Sequence, residues 1–227
     1  MANDLRASPR RPRSGWIVSA CLLALASGCA VSKAVHPQLR TAGDSGDALA
    51  VSDALEALIA TGQDTPADRE YAYDIVRTHN EDTAATTYAR AAVTGRLVQQ
   101  KGLLAANLVR DVEHDALRSR ELDPNFRDGV ATRLLGTLYV IAPATLLAHG
   151  NSELGLDLLE GLAAAHPDVL ENHLRLAEAY ITLGDPTPAH PHLCRCLAQR
   201  AALRGEDQQL LTHLVASAGS FQCPTAQ

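Results

Sequence analysis

Four pairs of residues in the carboxy-terminal half recur at one fixed interval, and that interval restricts the folds open to the chain. Gly150 and Gly184, Gly155 and Ala189, Leu159 and Leu193, and Leu162 and Cys196 are each 34 residues apart. A unit this short cannot bury its apolar face alone, so self-similarity at this period calls for stacked units sharing a continuous core. Two further segments match in type, Leu135-Gly136-x-x-Tyr139 and Leu176-Ala177-x-x-Tyr180. Their tyrosines are 41 residues apart, seven more than the repeat. The excess is expected within Ile141 to His149, where Pro143 ends or bends a helix.

The rest of the chain from Asp47 reads as helices with short breaks. Leu49, Val51, Leu55, Leu58 and Ile59 recur at helical spacing and stop at Gly62. Thr65-Pro66 is a cap followed by a first-turn proline, opening a helix through Tyr71, Ile75 and Val76. Asp82 is placed to cap a long segment through Val98, and Gly102 to break it before a helix from Leu103 to Leu122. Nothing alternates as a strand would. Alanine and leucine are abundant while aromatics make up 4% of the chain, a balance that suits closely packed helices. The expectation is an all-α domain of antiparallel hairpins over residues 47–218, with a tail over 219–227.

The amino terminus is of another kind. Arg6, Arg10, Arg11 and Arg13 precede an apolar run from Trp16 to Ala26. A basic start, a short apolar middle and small residues before a cut site are the parts of a secretory signal, and the run is shorter than the roughly 20 residues of a spanning helix. Leu25-Ala26-Ser27-Gly28-Cys29 resembles the lipobox of bacterial lipoproteins, in which the cysteine is acylated with chains such as palmitate and everything before it is removed. That resemblance implies a signal over 1–28, a lipidated Cys29, and export to the membrane surface facing the periplasm. Ala30, where retention at the inner membrane uses aspartate, inclines the expectation to the outer membrane. Residues 30–46 are rich in small polar groups and are expected to form, with Cys29, a flexible tether over 29–46.

Removing residues 1–28 takes four arginines and Asp4 from 20 basic and 26 acidic residues, leaving 16 and 25, a formal charge of −9. Nucleic acid is therefore an unsuitable partner, because Lys and Arg on phosphate dominate such affinity.

Leu135/Leu176, Tyr139/Tyr180, Gly136/Ala177, Gly155/Ala189 and the turn glycines Gly150 and Gly184 together resemble the tetratricopeptide repeat, with Pro124 and Pro167 closing the hairpins. About two such units are recognisable, and the resemblance implies a right-handed superhelix. A closer likeness covers much of the chain. The lipobox, Leu122-Asp123-Pro124, Leu135-Gly136-Thr137-Leu138-Tyr139-Val140-Ile141-Ala142-Pro143 and the helix from Glu171 through Tyr180 are similar to the T-component family, tetratricopeptide lipoproteins associated with TRAP transporters. That likeness implies a non-enzymatic adaptor whose protein partner is a periplasmic solute-binding protein, with the lipid anchor as its membrane contact. An outer-membrane assembly or secretin-pilot lipoprotein is the alternative, and self-association into a homo-oligomer is compatible with either. Aligned with the repeat, the concave face would present Arg133, Thr137, Leu174, Glu178 and Thr182 to the partner.

Chemistry is sparsely encoded. No nucleophile elbow, phosphate-cradling loop or zinc helix motif is present, and no cofactor is expected. His190-Pro191-His192-Leu193-Cys194-Arg195-Cys196 holds metal-ligand residue types, but Cys196 falls on a repeat core position and is expected to be a small buried group. Metal or hydrophobic-ligand carriage is therefore a lesser expectation. Cys194 and Cys196 do not easily bond to each other on a helix; Cys223 can reach back to one of them, and Cys194–Cys223 is the preferred disulfide for an oxidising compartment. Asp111, Glu113, His114 and Asp115 read as a solvated face. Arg118, Arg120, Arg195, Arg200 and Arg204 read as cations late in helices.

Overall fold

The computed structural model describes residues 34–224. The signal expected over 1–28, Cys29 and the last three residues of the tail lie outside that range. Among the described residues there are ten α-helices and no strand: α1 Pro37–Asp44, α2 Ala48–Ala60, α3 Pro66–Val76, α4 Ala84–Lys101, α5 Val109–Leu122, α6 Val130–Ile141, α7 Ser152–Ala165, α8 Leu170–Thr182, α9 Ala189–Ala198 and α10 Gly205–Ser217. Short 3-10 turns occupy Gly102–Leu108, Ala144–Leu146 and Arg200–Ala202. No described helix is long and apolar enough to cross a membrane.

Local sequence explains most helix starts. Thr65 and Asp68 form a reciprocal capping box at α3, with Pro66 at the first helical position. Asp47 accepts from the amides of Leu49 and Ala50 to cap α2, and Asn151 accepts from Leu154 to cap α7. The cap of α4 is Thr83, not Asp82; the aspartate is drawn away by Arg118, which holds both its carboxylate oxygens from α5.

Three antiparallel hairpins, α4–α5, α6–α7 and α8–α9, follow one another, and each packs on the next through α5–α6 and α7–α8. In α6–α7 the approach is set by glycine. A Cβ on Gly155 would stand 2.8 Å from the Gly136 carbonyl oxygen, and one on Gly136 only 2.6 Å from Leu159 Cγ. A Cβ on Gly150 would overlap the Tyr139 ring. The repeat positions Leu159, Leu193 and Cys196 are fully buried, and Leu162 nearly so. The additional seven residues lie after α6, where Pro143 and a 3-10 turn carry the chain to Leu147, which is buried.

Three expectations need correction. Pro37–Asp44, assigned to the flexible tether over 29–46, is a helix packed on α2 and α3, because Leu39 with Val35 and Ala42 supplies an apolar face to the first core cluster. The helix expected from Leu103 begins only at Val109, since Gly102 at φ +55° stops α4 and a 3-10 turn intervenes. Glu113 and Asp115 are buried, not solvated. Glu113 accepts the amides of Ala148 (2.6 Å) and His149 (2.8 Å), fastening the inserted loop to α5, and Asp115 takes Arg90 Nη2 at 2.7 Å. Asp111 and His114 are exposed.

Candidate functional site

Arg133 and Thr137 stand four apart on α6 and so share one face of it. That face looks onto α8, where Asn172 is fully buried and accepts Arg133 Nη1 at 2.7 Å on Oδ1. The Asn172 amide nitrogen and the Thr137 hydroxyl are themselves buried without a hydrogen-bond partner. Such groups are exceptional in folded proteins, because each forfeits its hydration unless something completes it. Arg133 makes no ion pair with any described carboxylate, and burial pulls its guanidinium below the ordinary arginine range, opposed by Tyr88 and Glu171 and aided by Arg175 and Arg204. Burial likewise pushes the Tyr88 phenol up, with the Glu56 carboxylate adding to the rise. The half-buried guanidinium of Arg133 on α6 and the Tyr88 phenol on α4 thus make a cationic surface, over an Asn172 amide and a Thr137 hydroxyl that are enclosed within the fold. Its natural complement is a carboxylate or a run of backbone carbonyls.

The rim of this surface is built by an unusual turn. Arg127 and Asp128 take positive φ values of +48° and +56°, followed by Gly129 at +76°. Two successive non-glycine residues in the left-handed region are costly and persist only where surroundings hold them. Here Arg127 reaches back to α2 and grips Asp53 with both terminal nitrogens, at 2.6 and 2.8 Å, while its guanidinium lies 5.5 Å over the Phe126 ring. Phe126 in turn meets Tyr88 at 5.9 Å.

A belt of ion pairs then closes the arc of helices. Arg96 on α4 holds Glu56 of α2 with Nε and Nη2, both at 2.6 Å, and Glu206 of α10 at 2.6 and 3.1 Å. Arg204 donates to Glu56 at 2.9 Å and to Asp207 at 3.3 Å, and Arg175 of α8 bridges Asp207 and Glu178 at 3.0 and 2.9 Å. Burial alone would raise the Glu56 carboxyl, but Arg96 and Arg204 outweigh it and hold it below its ordinary value. Burial would lower the Arg96 guanidinium, and Glu56 and Glu206 drive it up instead. The belt ties the last helix to the second. Arg204, read as a cation ending a helix, is instead the N-cap residue of α10.

Of the expected partner-binding residues, Arg133 and Thr137 lie together on this surface. Glu178 is engaged by Arg175, and Thr182 is exposed one turn further along α8. Leu174 is the error: it is 0% exposed, because α10 packs on α8 and covers it with Leu211 and Leu214. Tyr88, Asn172 and the belt carboxylates were missed, since their partners lie far off in sequence and carry no local signature.

The His190–Cys196 segment serves packing. His190 stacks on Phe221 at 4.6 Å, and Cys194 is disulfide-bonded to Cys223 with Cα atoms 5.3 Å apart. Cys196 is a buried free thiol pushed up to about 12 by burial. His192 Nδ1 lies 2.8 Å from His173 Nδ1. Because His173 Nε2 faces the Pro167 carbonyl at 2.7 Å and must donate there, its Nδ1 accepts and His192 donates. Among the described residues no group of three or more metal-ligating side chains converges. Neither the family models nor the curated proteins contain a match to this chain.

Proposed function

We propose that this protein is a lipid-anchored adaptor that binds a protein partner on the inner surface of its helical hairpins, around Arg133. The observation that carries this reading is the half-buried Arg133 guanidinium, which meets the Asn172 carbonyl oxygen but no described carboxylate. A half-buried guanidinium without a counter-charge is incompletely satisfied, so a partner offering acidic or carbonyl oxygens gains charge-assisted contacts there. The 34-residue spacing and the successive antiparallel hairpins support a tetratricopeptide-like superhelix with two recognisable units. The lipobox-like segment at Cys29 supports acylation and retention at a membrane surface, the outer membrane on the identity of Ala30. Likeness to the T-component family makes a TRAP-transporter solute-binding protein the partner of choice.

The test is affinity purification of the exported full chain from its own cells, comparing wild type with Arg133→Leu. A solute-binding protein recovered with wild type and lost from the variant, with the variant's unfolding midpoint within a few degrees of wild type, supports the reading. Equal recovery with both proteins rejects Arg133 as the contact. A consistent return of outer-membrane assembly components in place of a solute-binding protein transfers the adaptor to that machinery.

A further inference from the structure

Leu103 and Leu104 are each 89% exposed, far beyond any other large apolar side chain described, the next being Ile141 at 51%. They are adjacent, and they form the tip of the link between α4, the longest described helix, and α5. Nor are they on a loose end. Gly102, at φ +55° and ψ −132°, turns the chain outward in a conformation open to glycine, and Ala105 and Val109 are buried at the base of the turn. The seven residues Gly102 to Leu108 carry no charge, while Lys101 and Arg110 flank them. An apolar tip with cationic shoulders has the composition of a segment that enters a lipid surface while its long basic side chains remain at the headgroups.

The path of the chain says what covers the tip. The His36 amide is held by Asp68 at 2.7 Å, so the chain from Cys29 reaches the domain at the start of α3. The neighbouring Arg69 donates to the Arg96 carbonyl near the end of α4, and Glu70 pairs with Lys101 at 2.9 Å, directly before the tip. The first described residues, at His36, and the two leucines therefore share one end of the helical array. Only four residues lie between Cys29 and Ala34 in the sequence, five Cα steps that reach at most about 18 Å.

We infer that Leu103 and Leu104 insert into the bilayer that holds the acylated Cys29, fixing which end of the domain faces the membrane. This rests on the anchored reading above. Glu70, which pairs with Lys101, and Asp74 stand with Tyr73 beside Leu104, so the charges around the tip nearly balance and apolar insertion, not attraction to anionic lipid, is the contact. A lipid anchor alone would not fix the direction in which the inner surface points. A second contact at the tip holds the α4–α5 hairpin end towards lipid and leaves its other end, at Glu81 and Glu121, facing away.

The experiment uses the full chain, exported and processed in bacteria, then reconstituted in phosphatidylethanolamine–phosphatidylglycerol vesicles with and without nitroxide-labelled lipid. With Cys29 acylated, Cys194 and Cys223 bonded and Cys196 buried, a thiol introduced by Leu104→Cys takes an environment-sensitive fluorophore selectively. Glu81→Cys is the control, since α4 spans 18 residues and sets it about 27 Å away. Expected are a blue-shifted emission and quenching by the labelled lipid at 104, and neither at 81. The double variant Leu103→Ser/Leu104→Ser should transfer between vesicles faster by about tenfold per leucine, with an unchanged unfolding midpoint. An acylated protein whose 104 probe is as unquenched as the 81 probe overturns the inference alone. A blue shift that labelled lipid does not quench overturns it in favour of a protein on the tip. An unacylated Cys29 in the intact mass removes the anchor and this inference with it.

Discussion

Replacing Gly155 by alanine probes the closest helix–helix approach in the protein. The new Cβ would stand 2.8 Å from the Gly136 carbonyl oxygen, 2.8 Å from Tyr139 Cβ and 3.0 Å from Val140 Cγ2. Two of these neighbours are fixed by backbone, so α6 and α7 must part. Overpacking of this sort costs typically 1–3 kcal/mol. Alanine also recovers about 1 kcal/mol of helix propensity over glycine. Gly161, on the same helix with nothing within 4 Å of its Cβ position, measures that gain by itself. Gly161→Ala should therefore raise stability by about 1 kcal/mol, and Gly155→Ala, which sets that gain against the overpacking, should lower it by up to about 2 kcal/mol. In a domain of this size the two melting temperatures should move in opposite directions by about 2–6 °C. Urea unfolding of the oxidised protein, followed by helical circular dichroism, gives both values. If Gly155→Ala stabilises as much as Gly161→Ala, the hairpins are not in the glycine-mediated contact described.

Arg96→Met should leave the half-buried Glu56 and Glu206 with only Arg204 between them and destabilise by about 2–3 kcal/mol, below the full cost of stranding a deeply buried charge. Amide exchange should then show α10 loosening before the rest. Breaking the disulfide with Cys194→Ser, which opens a loop of 29 residues, should cost about 3–4 kcal/mol in urea and free the Phe221 segment from His190. Burial, then the nearby His173, lowers the His192 pKa below its ordinary value, so the unfolded chain takes up a proton there first. The stability this contributes is complete above about pH 6.5 and is lost as pH falls through the folded value. His192→Asn should flatten the fall in unfolding free energy measured between pH 7.5 and 5, and a slope unchanged by the substitution would count against the assignment.

What was legible in the chain was whatever depends on near neighbours. Thr65-Pro66 with Asp68 spells a helix start, Gly102 spells a stop, and the 34-residue interval placed Leu159, Leu193 and Cys196 in the core where they are found. Helix geometry argued against a Cys194–Cys196 bond, and Cys223 is bonded to the preferred Cys194. What was hidden depends on tertiary closure. Leu174 was read as outward because the repeat makes its stripe concave, yet α10 returns across α8 and buries it. Arg204 and Glu56, 148 residues apart, show no pattern that either betrays separately. The helix α1 escaped because its composition is that of a linker, while a single leucine, Leu39, is enough to dock it. Arg133 and Thr137 were singled out by their place in the repeat and do lie together on α6, but Asn172, the buried residue that meets Arg133, was not, since nothing local marks it.

Site-specific photo-crosslinking in living cells addresses the adaptor reading most directly. A photoreactive residue at Thr182, exposed and one turn beyond Glu178 on α8, should give a discrete adduct with one exported protein, identified by mass. The adduct should disappear when Arg133→Leu is introduced. The same probe at Glu153, exposed on α7, should give none. Adducts of equal strength from both positions, or an adduct at Thr182 indifferent to Arg133, would contradict binding on the inner surface.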